Sequence, residues 1–176
     1  MKYLITFFSG CLVVALGQQA PAATTTPAPA ATTPTTPKEK ILAEWKDVTR
    51  KITTLAAEFP ESKYDYRPVP DVRTFAQQML HLAFWNQFLA KSARGEHPDP
   101  KPNELPRSAY GTKETVTTVL RESFEIVLAS LQEAPQEEIV KRINLWATFL
   151  EHSGEHYGQA AMYYRLNGLT PPESRR

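Results

Sequence analysis

Residues 145–165 read LWATFLEHSGEHYGQAAMYYR, and the spacing within this stretch decides what kind of fold the chain can adopt. Trp146, Leu150, Ser153, Tyr157, Ala160 and Tyr164 recur at alternating steps of four and three, which draws one face of a helix. Ile139 and Ile143 extend that stripe upstream, so a single helix is expected from near Gln136. Leu145, Phe149, His152, His156, Gln159 and Tyr163 form a second stripe one position over. Histidines four residues apart lie on one side of a helix about a turn apart, so the imidazoles of His152 and His156 can converge on one metal ion or one proton. They border the buried stripe, where a site inside a helical bundle would need them.

Three further helices precede this one. Thr36-Pro37-Lys38-Glu39 is a capping box with proline at the first helical position, and Ile41, Trp45, Val48, Ile52, Leu55 and Phe59 then mark a core stripe that Pro60 ends. The connector ESKYDYRPVPDVR, residues 61–73, is an ordered loop whose two tyrosines are too large to stay wholly exposed. Thr74-Phe75-Ala76-Gln77 is a second capping box. Phe75, Met79, Leu82 and Leu89 follow it as a stripe that Leu80, Phe84, Trp85 and Phe88 widen to most of the circumference. His81 lies in the middle of this apolar helix, where a histidine has to be hydrogen-bonded or ligated. His97, in a polar stretch, is a solvated surface residue. The proline-broken segment from His97 to Gly111 is long enough to cross from one end of a bundle to the other. Thr112 opens the third helix, with Val116, Leu120, Phe124, Val127 and Leu131 as its stripe, and Pro135 closes it. Asn167-Gly168 and Pro171-Pro172 stop the last helix. With no strand-like alternation, the expected fold is all-α: a four-helix bundle with a long crossover between the second and third helices.

The first residues of the 176-residue chain serve a different purpose. Lys2 followed by YLITFFSGCLVVAL and a small-residue Ala15-Leu16-Gly17 site is the pattern of an export signal over residues 1–17, too short for a comfortable membrane span. A periplasmic or extracellular location follows, without stable membrane insertion after cleavage; lipid attachment through Cys11 is the alternative. Residues 18–36 form an Ala/Thr/Pro tract that cannot bury enough apolar surface to order itself, a linker before the domain at 37–176. Cys11 is the only cysteine, so the chain cleaved at Gly17 has no disulfide, thiolate ligand or cysteine nucleophile. A net charge of +1 without long runs of one sign argues against nucleic acid as a partner.

If the second and fourth helices face each other, His81 completes a three-nitrogen site with His152 and His156, an arrangement suited to a divalent metal that keeps an open position. Zinc and nickel both accept imidazole. His152-Ser153-Gly154-Glu155-His156 also matches the H-x-x-E-H pattern of inverted zinc proteases, but those enzymes are much larger and only twenty residues follow His156. Glu155 lies about 60° around the helix from His152, as a solvent-facing carboxylate or a base near the metal.

YDYRPVPDVRTFAQQMLHLAFWN, GTKETVTTVLRESF, HSGEHYGQAAMYYRLNG and the LTPP exit together resemble the DinB-like superfamily of bacterial four-helix proteins, from about Glu44 to Pro172. The resemblance implies that His81, His152 and His156 are the divalent-metal triad. It implies an activity only broadly: relatives include thiol-transferase-like enzymes and metal-dependent hydrolases or isomerases. An export signal departs from the usual cytoplasmic setting and sets aside a cytosolic thiol cosubstrate. The expected function is therefore metal-dependent hydrolysis or group transfer on a small-molecule substrate, with Glu155, Gln159 and Tyr163 as neighbouring polar groups. The alternative is a metal-binding or interaction bundle without turnover, and association into a homodimer through a helix face is the remaining partner expectation.

Overall fold

The computed structural model describes residues 36–175; the expected export signal at 1–17, and all of the expected linker except Thr36, lie outside the described residues. Among the described residues five α-helices carry the fold: α1 (Pro37–Glu58), α2 (Phe75–Ala93), α3 (Lys113–Glu133), α4 (Gln136–Lys141) and α5 (Ile143–Leu166). No helix among the described residues is long and apolar enough to cross a membrane.

The helix starts are chemically fixed. Thr36, Thr74 and Thr112 each accept a hydrogen bond from the backbone N–H three residues on, while Glu39, Gln77 and Thr115 reach back to the capping residue's own N–H. The ends of α2 and α5 are fixed as well. Gly95 and Gly168 adopt φ of 84° and 71°, and the residue after each glycine donates back to the carbonyl of Lys91 or Tyr164.

Side-chain bonds to chain ends give the directions. Lys38 at the start of α1 donates to the carbonyl of Ala134, just past the end of α3, and Lys113 at the start of α3 donates to the carbonyl of Phe59, just past α1. These two helices are antiparallel. Tyr164 near the end of α5 donates to the carbonyl of Leu55 near the end of α1, so α1 and α5 run parallel. Gln78 meets His156 and Arg142 meets Ser92, so α2 and α5 are antiparallel. Consequently α2 and α3 run in the same direction, and the segment 94–112 is the expected crossover between them. Around the bundle the order is α1, α3, α2, α5, with α1 and α2 on one diagonal.

The α2/α3 contact is the most extensive in the molecule. Ala83 and Ala90 share a buried face of α2 with Asn86, and small residues there let the two backbones approach. Asn86 donates to Ser123 Oγ at 3.0 Å, and the Ser123 hydroxyl donates in turn to the carbonyl of Leu120. The core fills with Trp45, Ile52, Leu55, Phe59, Phe75, Met79, Leu80, Phe124 and Trp146. Tyr64, one of the two connector tyrosines, is fully buried and donates to the carbonyl of Ala56. His97 is exposed, as its surroundings suggested.

The expected single helix from Gln136 is in fact two. The chain leaves helical geometry at Arg142, with φ −109° and ψ 22°, and its guanidinium donates to the carbonyl of Ser92 at the end of α2. That contact holds α4 as a separate turn over the bundle end. Ile143, placed in the core stripe by its spacing, is exposed instead, while Ile139 on α4 is buried.

Candidate metal centre

α2 and α5 bring His81, His152 and His156 together, and among the described residues these form the cluster whose ligand atoms could hold one metal ion. His81 comes from the middle of α2 and the other pair from consecutive turns of α5, so the site staples the two antiparallel helices. His81 and His156 are each 6% exposed and His152 is half-buried.

The Nε2 atoms converge. His152 Nε2 lies 3.1 Å from His81 Nε2 and 3.0 Å from His156 Nε2. Imidazole nitrogens bound at about 2.1 Å to one divalent cation stand roughly 3.0–3.4 Å apart for bond angles between about 90° and the tetrahedral value. The two spacings to His152 are those that ligands of one ion show, and all three ligand atoms lie within 4.8 Å of one another.

The opposite ring edges of His81 and His156 are held by hydrogen bonds. His81 Nδ1 donates to the backbone carbonyl of Asn103 at 2.5 Å. A carbonyl can only accept, so the proton of neutral His81 is on Nδ1 and its Nε2 is bare. The side-chain amide of Gln78 lies 2.9 Å from His156 Nδ1 and also bonds the amide of Gln159. As placed, Gln78 Nε2 donates to both His156 Nδ1 and Gln159 Oε1; the tautomer that frees His156 Nε2 for an ion requires both amides to turn, the Gln78 oxygen toward Nδ1 and the Gln159 nitrogen toward that oxygen. One N–H on His152 could serve only one of its two neighbours well, so a cation satisfies the trio better than the histidines satisfy each other.

Burial keeps the imidazoles neutral. It pushes His81 down to about 4 and His156 down to about 3, and lowers His152, with the charge of Arg73 acting in the same direction on all three. Neutral imidazole is the form that binds metal.

On one flank, the ring of Trp85 packs against both His81 and His152, and Phe149 packs against Trp85 and His152. Trp85 Nε1 also donates to the side chain of Asn103, so this one residue, at φ 56°, holds both His81 and Trp85. On the other flank a cleft of about 640 Å³ is lined by Gln78, Gln159 and Tyr163, by Arg73, Gln77 and Glu104, and by Val72, Met162 and Leu166.

Of the three polar neighbours expected on α5, Gln159 touches Gln78 and lines the cleft. Tyr163 lines it too, its hydroxyl donating to the backbone carbonyl of Arg73. Glu155 is exposed and does not line the cleft. The carboxylate that acts on His81 is Glu104, from the crossover segment. Gln78, Asn103, Arg73 and Glu104 went unread in the sequence. For Gln78 a signal was present: a glutamine one turn before His81 in an otherwise apolar helix. For Asn103 it was an asparagine, tolerant of positive φ, in a proline-broken loop.

A family profile described as the DinB superfamily matches residues 44–160, which span all three histidines. No curated protein matches the chain.

Proposed function

The chain belongs to the DinB superfamily, and from that premise we propose that it is an exported divalent-metal-binding protein that hydrolyses, or transfers a group to or from, a small molecule. The observation that carries the metal assignment is the convergence of the ring nitrogens of His81, His152 and His156, with the far edge of His81 held by Asn103 and that of His156 by Gln78. His81, His152 and His156 would hold the ion, with zinc or nickel favoured because both accept imidazole. When bound, such an ion supplies Lewis acidity.

The protein's own groups do the rest. Asn103 and Gln78 fix the ring orientation, Trp85 and Phe149 shield one flank, and the cleft at Gln78, Gln159 and Tyr163 takes the substrate. A binding role without turnover is the second reading. It is favoured by one observation: no histidine lines the cleft among the described residues, the Gln78–Gln159 pair standing between.

Elemental analysis of the mature protein, recovered from the exported fraction and checked by mass spectrometry for a start near Gln18, tests the proposal. About one divalent ion per chain is expected, and none in His81→Ala, His152→Ala or His156→Ala. Metal that ignores His81 would break the assignment. Turnover of model esters, amides or phosphoesters by the loaded protein, lost in the same variants, separates the first reading from the second.

A further inference from the structure

The seven exposed large hydrophobic side chains among the described residues are not evenly spread: Val72, Met162 and Leu166 all line the cleft beside the histidines. Side chains of this kind left in water at one concave site mark a place where an apolar body fits. The polar floor of the same cleft holds a guanidinium with unused donors. Both oxygens of Glu104 are used, one by Arg73 Nε at 2.8 Å and the other by Gln77 Nε2 at 3.2 Å. Among the described residues the guanidinium of Arg73 hydrogen-bonds to the protein through Nε alone, which leaves its Nη1 and Nη2 edge for a ligand. That edge is the planar fork that matches a carboxylate. The lining carries two cations, Arg67 and Arg73, and two anions, Asp71 and Glu104, so it has no net positive charge to draw a dianion such as a phosphate monoester.

We propose that this cleft binds a small organic monocarboxylate with an apolar body, its carboxylate on the Nη edge of Arg73 and its body along Val72, Met162 and Leu166. The inference deepens the reading of the cleft as the substrate site, since it names the class of molecule the site takes. A volume of about 640 Å³ is ample for a medium-length chain. Gln78 lines this cleft and also touches His156, so the cleft adjoins the metal centre across that side chain.

Calorimetric titration of the metal-loaded mature chain with octanoate, 1-octanol and octylammonium tests this. Saturable binding of one octanoate per chain is expected, at least about tenfold tighter than octanol, because the charge-assisted contact is present only for the acid. Arg73→Gln should remove that tenfold preference and leave octanol binding unchanged, whereas Met162→Gln should weaken both ligands. Arg73→Lys, which keeps the charge and loses the fork, should fall between. Octanoate no tighter than octanol, or a preference that survives Arg73→Gln, overturns the proposal, as does tighter binding of octylammonium. The same titration on His152→Ala separates the two readings. Arg73-dependent octanoate binding to a wild-type chain that holds no metal supports the cleft and fails the metal reading. Stoichiometric metal with no octanoate binding overturns the cleft alone.

Discussion

His81 and His156 are neutral in the folded chain because burial makes their charged forms costly, and this has a measurable cost in acid. In the unfolded chain each imidazole titrates near about 6.5. Below that pH the unfolded state binds protons that the folded state refuses until about 4 for His81 and about 3 for His156. The stability is therefore complete above about pH 6.5 and falls as pH drops through this window. Metal-free protein followed by denaturant melts from neutral pH to about 4.5 should lose on the order of 2 kcal/mol per histidine. Ordinary carboxylates contribute little above about pH 4.5, so a flat profile there would refute buried neutral histidines. His81 was legible in the sequence because a titratable ring in the middle of an apolar helix has no bland place to go. The groups that orient it were less so: helical spacing tells how far a residue sits from the axis of the bundle, and nothing about which loop carbonyl comes to rest over it.

At the scale of elements, the same-direction packing of α2 on α3 rests on small residues and one buried polar pair. Asn86 and Ser123 are 2% and 0% exposed, so neither can turn to water if the other is removed. Ser123→Ala should destabilise the fold by about 1–3 kcal/mol, read as a shift in urea midpoint at constant slope. The double change Asn86→Leu with Ser123→Ala should recover part of that loss, since no polar group is then stranded. If the single change is silent, the pair is not what holds these helices in register. The helix starts were readable to the residue because capping is a local exchange of hydrogen bonds between Thr and a side chain three places on. The break at Arg142 was not. Apolar spacing runs unbroken from Ile139 through Ile143 to Trp146, and the interruption comes from a guanidinium reaching the carbonyl of Ser92, fifty residues earlier in the chain.

Over the whole molecule, the centre joins the second helix to the last, its neighbour around the bundle, so an ion bound there acts as a clamp on the native state. An ion at about a thousand times its dissociation constant adds about 4 kcal/mol by mass action. For a domain of this size that is an upward shift in Tm of roughly 10 °C. Scanning calorimetry with zinc or nickel against a chelator should show it, and His152→Ala should abolish it. A melt indifferent to chelator would mean that the histidines need no ion. The alternating stripes carried the bundle and its crossover into view from the sequence, because each stripe needs a face to bury; the order of helices around the axis came only with the structure.

The separation of the ligands along the chain also sets a timetable. His81 precedes its nearest partner, His152, by 71 residues. While the chain is being made, His81 emerges with α2 long before any part of α5 exists, and a lone imidazole has nothing with which to chelate. Closing so long a loop is a late event in folding. The full three-ligand centre thus forms late: His152 and His156 arrive together on α5, and His81 joins them only when that helix has docked.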